Sequence, residues 1–433
     1  MKLKNIYQIF FFIAITTLIS CSSSEDNGDG NGNTVTSINI NPNTLFADFG
    51  EPFTFTVKTN DGTDVTSSST ILVNNSSISG NSYTPPATGE YTVKATYNDL
   101  TSSTKTITVL PVVVSIDIES NSSTVNIGDT IEYTVIATDN NGNTNPITGA
   151  TTVFINGSES VTGNKFIPGE VSTVSAYATF EEFTTSTIEV SVVDQEVTPA
   201  SFTRKALIED YTGTWCGWCP RVSYGIELVK AQTDNVVVVA NHLANGDPYE
   251  NTYSVQMANA FGISGFPTAY VNRGSEWTYP EPNNVSQVTS LAQGTMPSGI
   301  SINSAIKDNN LSFVVSAGFA QNTTGAKLVV FLLENGLIHN QENYTDYYNG
   351  VDVLVNFQHD HVLRYAFTPV LGQAIPAGEV VANNIYNVKY DFAIPSGIVS
   401  NTNNLEIVAM LVGDNDQIIN VNMVSAGGEV EFN

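Results

Sequence analysis

The spacing of apolar residues changes character twice along the chain. From residue 35 to about 195, apolar and polar positions alternate with a period of two in short runs. Phe53, Phe55 and Val57 fall on one side of such a run, and Ile131, Tyr133 and Val135 on one side of another, which predicts half-buried strands. Polar turns, among them Asn60-Asp61-Gly62 and Asn140-Asn141-Gly142, separate them. Near residue 200 the pattern shifts. "KALIEDY" reads as a strand, and after it Cys219, Val222, Ile226 and Val229 recur at helical spacing. "NVVVVANH" is continuously apolar, as expected of a buried parallel strand. "TYSVQMANAFG" predicts a second helix, "ISGFPTAYVNR" a strand entered through a proline, and "NNVSQVTSLAQ" a closing helix. Strand alternating with helix predicts an α/β domain over 200–295. Strand-like runs then resume, from "GISINSAIK" to "IINVNMVS", and predict a C-terminal β-sandwich over 296–433.

The first stretch is a repeat. "SINI" from Ser37 is matched by "SIDI" from Ser115, Gly50 by Gly128, and "FTFTVKTNDG" from Phe53 by "IEYTVIATDNNG" from Ile131. Two copies predict two similar domains, 35–110 and 111–195, rather than a solenoid of many short units. Each resembles the bacterial immunoglobulin-like domains of surface proteins. The expected fold is therefore multidomain and mostly β: two immunoglobulin-like β-sandwiches, one α/β domain and one C-terminal β-sandwich. The repeats carry no visible catalytic set, and a stalk is their expected role.

Charge and the N-terminus place the chain. Its 433 residues hold 15 Lys and Arg against 42 acidic residues, a formal charge of -27. Such a surface repels phosphate backbones, so nucleic acid is not an expected partner. Lys2 and Lys4 precede the apolar "IYQIFFFIAITTLIS", which reads as a signal peptide over 1–20. Leu18-Ile19-Ser20-Cys21 resembles a bacterial lipobox, which implies lipidation of Cys21 and a membrane anchor of acyl chains. The spacer over 21–34, "CSSSEDNGDGNGNT", is flexible in composition and lacks the ligand spacing of a calcium loop. Its Ser-Glu-Asp run resembles the acidic tag that sends Bacteroidota lipoproteins to the cell surface.

The remaining two cysteines, Cys216 and Cys219, stand in "GTWCGWCP". Cysteines three apart at a helix start can close a disulfide. A thiol at a helix N-terminus is favoured as thiolate by the unpaired N–H groups and the helix dipole. Cys216 is the expected nucleophile and Cys219 the resolving thiol. Pro220 suits the first helical turn, where a missing N–H costs little. Trp215 is expected over the sulfurs, with Gly217, Trp218 and Phe266 lining the site. "LIEDYTGTWCGWCP" resembles the thioredoxin active-site strand and turn, and "GISGFPT" resembles that family's cis-proline loop. The resemblance implies a thioredoxin-like domain in which Pro267 faces the disulfide and Asp210 moves the proton of Cys219. On the strand, Ala206, Ile208 and Asp210 share a face, so either Asp210 is buried with a raised pKa, or Glu209 is buried and Asp210 exposed. The dipeptide between the cysteines is Gly217-Trp218 instead of the family's common Gly-Pro, so a reduction potential does not carry over. Thioredoxins often place a lysine near the buried aspartate; between Lys230 and Lys307 there is none, and His242 is either its substitute or a polar strand end.

His339, His359 and His361 invite a metal, but zinc wants three or four clear ligands and the spacing shows no third. No metal and no cofactor are expected. "NQENYTDYYNGVDVLVNFQHD" reads as a Tyr-rich loop, either a cover for a groove near the redox centre or a polar connection. With lipobox, "EDYTGTWCGWCP", "GFPTAYVNR" and "HDHVLR", the chain resembles the Bacteroidota 28-kilodalton outer-membrane-protein family over residues 200 to 433. Two functions stay open. One is a surface-anchored, outer-membrane thiol-disulfide oxidoreductase whose partners are protein thiols or disulfides of the cell envelope. The other is a non-catalytic binding or adhesion lipoprotein in which Cys216–Cys219 is a structural disulfide.

Overall fold

Period-two patterning becomes paired strands wherever it occurs. The computed structural model describes residues 35–195 and 199–432. The expected signal peptide, Cys21 and the acidic spacer lie outside them. Tertiary contacts divide the chain into two units. One holds the first repeat with Ile136–Pro146; the other holds Asp117–Val135 and Ile147–Asn433. In the first repeat, Ile38–Pro42 and Phe53–Thr59 pair antiparallel in one sheet. Phe46–Asp48, Lys105–Leu110, Gly89–Tyr97 and Thr70–Val73 order a second. Phe53, Phe55 and Val57 are fully buried in the shared core with Val93, Ala95 and Ile107. Ile131, Tyr133 and Val135 of the second repeat are buried in the same alternation.

The second unit carries the cysteines. Strands β1 (Ala206–Thr212), β2 (Val236–His242), β3 (Thr268–Val271) and β4 (Ser275–Glu276) alternate with helices α1 (Pro220–Lys230), α2 (Thr252–Ala260) and α3 (Val285–Thr289). β1 runs parallel to β2, with Ile208 opposite Val238, and antiparallel to β3, with Ile208 opposite Val271. Proline supplies the first residue of α1, and Asn251 caps α2 by accepting from the backbone N–H of Tyr253 and Ser254. The closing helix is shorter than its pattern suggests, because Ser290–Ala292 tightens into a 3-10 turn. One face of this sheet buries Ala206, Ile208, Val236 and Val238 against Val222 and Val229 of α1 and Val285 and Val288 of α3.

The expected boundary near residue 296 is bridged by hydrogen bonds. The C-terminal strands are β5 (Ser298–Lys307), β6 (Asn310–Phe319), β7 (Lys327–Glu334), β8 (Leu337–Glu342), β9 (Val353–His359), β10 (Val362–Ala366), β11 (Asn384–Ala393), β12 (Leu405–Val412) and β13 (Ile418–Ser425). One sheet runs β4-β3-β1-β2-β10-β7-β12-β13, with Gln373–Ala374 beside β7. The join is narrow: Ala240 lies opposite Val362, and its N–H donates to the His361 carbonyl at 2.8 Å. The apolar β2 cannot face water with an open edge, and β10 supplies partners for it. A second sheet, β11-β6-β5 with Glu429–Val430, covers one face of β7 and β12 and makes the sandwich. The opposite face of β7, β10 and β12 shares a core with Leu207, Tyr211, Val237, Val239 and Met257. The α/β segment and the β-sandwich thus share one sheet and one core.

Candidate redox site

The α/β frame delivers both cysteines to the end of β1. Cys216 and Cys219 form a disulfide, with Cα atoms 5.4 Å apart. Two tight turns lead into α1: Cys216 N donates to Gly213 O at 3.0 Å, and Cys219 N to Cys216 O at 3.1 Å. Cys219 occupies the N-cap position. Across the β1–β3 pairing, Tyr211 lies opposite Thr268, so the cis Phe266–Pro267 peptide reaches the same end of the sheet. Trp215 is not free to lie anywhere. Its indole Nε1 donates to Leu243 O at 2.9 Å and its ring meets Phe266 edge-on at 5.6 Å. Trp218 is the exposed aromatic of the turn, 53% accessible, with its ring edge toward Tyr344.

Both acids of β1 are buried, which neither reading of the sequence anticipated. Glu209 is paired: Arg273 Nε and Nη2 donate to its Oε1 at 3.0 and 2.8 Å. Asp210 is 3% exposed, and its Oδ1 has no hydrogen-bond partner. Burial, and then the charge of Glu281, push its carboxyl up to about 8, while Arg221 opposes them. Arg221 itself is held by Glu281.

A cavity of about 130 Å³ is lined by Asp210, Lys230, His242, His359 and His361, among others. Lys230 lines it together with Asp210, but the charges that act on Asp210 are those of Glu281 and Arg221. Lys230 comes from the last turn of α1 and contacts His361 Nε2, whose ring also bonds Glu406 at 2.7 Å. Burial lowers its pKa. His242 is buried and bonds Asp247 Oδ1 at 3.1 Å. Burial raises Asp247, but the His242 hydrogen bond and charge and the backbone N–H groups of Thr214 and Tyr249 outweigh it and hold the carboxyl low. Through the Thr214 bond, at 2.6 Å, Asp247 also fixes the start of the cysteine turn. The histidines of "HDH" take different partners: His359 packs against the His242 and Tyr249 rings, and burial, then His242, lower it to about 3. His339 is exposed.

The Tyr-rich segment is a hairpin and covers the turn. Residues β8 and β9 pair antiparallel, and the chain between them lies along the cysteines. Glu342 N donates to Thr214 O at 2.9 Å and Tyr344 N to Gly217 O at 2.7 Å. Gln341 Nε2 reaches Gly213 O at 3.2 Å and Cys216 O at 2.9 Å. Tyr347 stacks on Tyr224 of α1, and Tyr348 donates to Glu227 at 2.7 Å. Cys216 and Cys219 are left 4% and 1% exposed. Asp247, Lys230, Gln341 and Tyr344 were missed by sequence reading. Only the run of tyrosines signalled that this segment packs on something.

Comparison with known proteins gives the following. The model of a family described as outer membrane protein Omp28 matches residues 254–430. That range takes in Pro267 and the hairpin but begins after both cysteines. Among solved structures, HBP35 of Porphyromonas gingivalis is similar at 19% identity, covering 52% of this chain and 76% of that one, with a TM-score of 0.40. A domain of the outer membrane lipoprotein Omp28 from the same organism is similar at 18% identity, covering 30% of this chain and 89% of that one, with a TM-score of 0.21. Fibronectin(III)-like modules of Clostridium thermocellum CbhA are similar at 14% identity, covering 36% of this chain and 94% of that one, with a TM-score of 0.19. No curated protein matches.

Proposed function

We propose that this chain is an outer-membrane lipoprotein, anchored through Cys21, whose thioredoxin-like Cys216–Cys219 pair exchanges electrons with protein thiols and disulfides of the cell envelope. The observation that carries the reading is Asp210, a buried carboxyl with an unpartnered oxygen on the strand that leads into the disulfide. A structural staple has no use for such a group, which costs stability; a proton acceptor for a buried thiol does. The strand order around β1 and the position of Pro267 support the same reading.

In the reducing direction, the Cys216 thiolate attacks one sulfur of a substrate disulfide. A Cys216–substrate bond forms, the substrate S–S bond breaks, and the other substrate sulfur leaves as thiolate and takes a proton. Asp210 then accepts the Cys219 proton. The Cys219 thiolate attacks Cys216 Sγ, the internal disulfide closes, and the second substrate sulfur leaves as thiolate and takes a proton, which returns Asp210 to its ionised form. The substrate gains two electrons and two protons, and the pair loses them; a dithiol donor reverses the sequence. Burial raises Asp210 far above an ordinary carboxyl, so its ionised form is a stronger base and better suited to take a thiol proton.

The near-complete cover of both sulfurs supports a second reading, in which the disulfide is structural and the chain is a binding or adhesion lipoprotein. Two measurements decide between them. A reduction potential well above roughly -300 mV, with mixed disulfides trapped by Cys219→Ser in envelope extracts and lost on removing Cys216, supports exchange. A potential below that value without Cys216-dependent adducts overturns it.

A further inference from the structure

The cysteine turn is held from outside the α/β segment. Gly213, Thr214, Cys216 and Gly217 all present carbonyl oxygens, and all four accept from one short stretch of the β8–β9 hairpin. Glu342 and Tyr344 give backbone N–H groups. Gln341 gives its side chain, and the residue is buried, 3% exposed. Its Nε2 also lies 3.0 Å from Glu342 O, so two N–H bonds are shared among three acceptors. Two of those acceptors already shape the turn: Gly213 O takes the Cys216 N–H, and Cys216 O takes the Cys219 N–H.

We propose that Gln341, contributed by the C-terminal β-hairpin, is a positioning residue of the redox site that orients the Cys216 carbonyl and places the positive end of its amide dipole beside the nucleophilic sulfur. The proposal rests on the exchange reading for its biological use, but not for its measurement. A carbonyl oxygen carries partial negative charge that opposes ionisation of a neighbouring thiol, and the Cys219 N–H is one donor that already offsets part of it at Cys216 O. The Gln341 amide is a second donor on that oxygen and offsets more of its charge. The neighbouring backbone bonds from Glu342 and Tyr344 hold this stretch against the turn on either side of it. The α/β frame alone leaves these carbonyls without those donors. The hairpin is therefore part of the site and not merely a cover over it.

The test uses the full chain, reduced, with Gln341→Met, which keeps the length and volume and removes the donor. The readout is the Cys216 thiol pKa from the pH dependence of iodoacetamide alkylation. We expect the thiol to rise by roughly 0.5 to 1 unit and the alkylation rate at pH 7 to fall about threefold to tenfold. Gln341→Glu, which places an acceptor where the donor was, raises it further. A merely structural role predicts equal losses of melting temperature and no ordered shift of the thiol. If Gln341→Met does not fold, Gln341→Glu and Gln341→Asn carry the comparison through the order of their pKa values. A natively folded variant whose thiol titrates within about 0.2 unit of wild type overturns the proposal. An inert wild-type pair, by contrast, shows itself in its potential and missing adducts, so the two failures are separable.

Discussion

Replacing Asp210 by asparagine removes a buried ionisable group while keeping its shape. In the folded chain the carboxyl titrates near 8, against 3.8 in the unfolded chain. Its folded value is raised, so folding favours the protonated form. The native state has its full stability below about pH 4. It loses stability as pH rises from there to about 8, where the folded group also ionises. A shift of about four units at ~1.4 kcal/mol each puts the loss near 4 kcal/mol at pH 7 and between 5 and 6 kcal/mol at pH 9, to order of magnitude. Asp210→Asn does not suffer this loss. The variant should match wild type near pH 4 and exceed it progressively above. Urea unfolding of the oxidised full chain at pH 4.5, 7 and 9 measures the gap. All three tryptophans, Trp215, Trp218 and Trp277, belong to the α/β segment, so their fluorescence follows that body without the immunoglobulin-like repeats. Other titrating groups affect both proteins and cancel in the difference. A gap that stays flat from pH 4.5 to 9 refutes the buried, unpaired carboxylate and with it the proton-acceptor role.

Two further outcomes test the surroundings of the site. Arg273→Met leaves Glu209 charged and unpaired in the core, at a cost of about 3–5 kcal/mol in the same urea assay, and adding Glu209→Gln should recover most of it. Equal stability of wild type and the single variant would mean that the pair does not form. Gly217→Ala puts a Cβ into the Tyr344 ring, which must move off the turn. The expected result is a loss of roughly 1–3 kcal/mol and faster reduction of the disulfide by dithiothreitol, and an unchanged rate would show that the tyrosine segment does not limit access.

Signals carried by neighbours in sequence were legible; those set by distant partners were not. The faces of Phe53, Phe55 and Val57 follow from a period of two, and α1 from a proline and an apolar face at helical spacing. The turn, its cysteines and Pro267 stand out because each needs a particular residue type at a fixed offset. The choice between Glu209 and Asp210 could not be made the same way. β1 is buried on both faces, so alternation no longer separates inside from outside. What separates the two acids is Arg273, 64 positions away, which neutralises one and leaves the other alone. The same holds for the boundary near residue 296. A hydrogen-bonded step from β2 to β10, between residues 240 and 361, continues one sheet across two segments whose patterns each read as a complete domain. That join sets where the hairpin sits, and the hairpin supplies Gln341 and Tyr344 to the cysteine turn. The cysteine turn can thus be recognised from its own motif, while the contacts that cover it depend on a strand pairing that leaves almost no local trace.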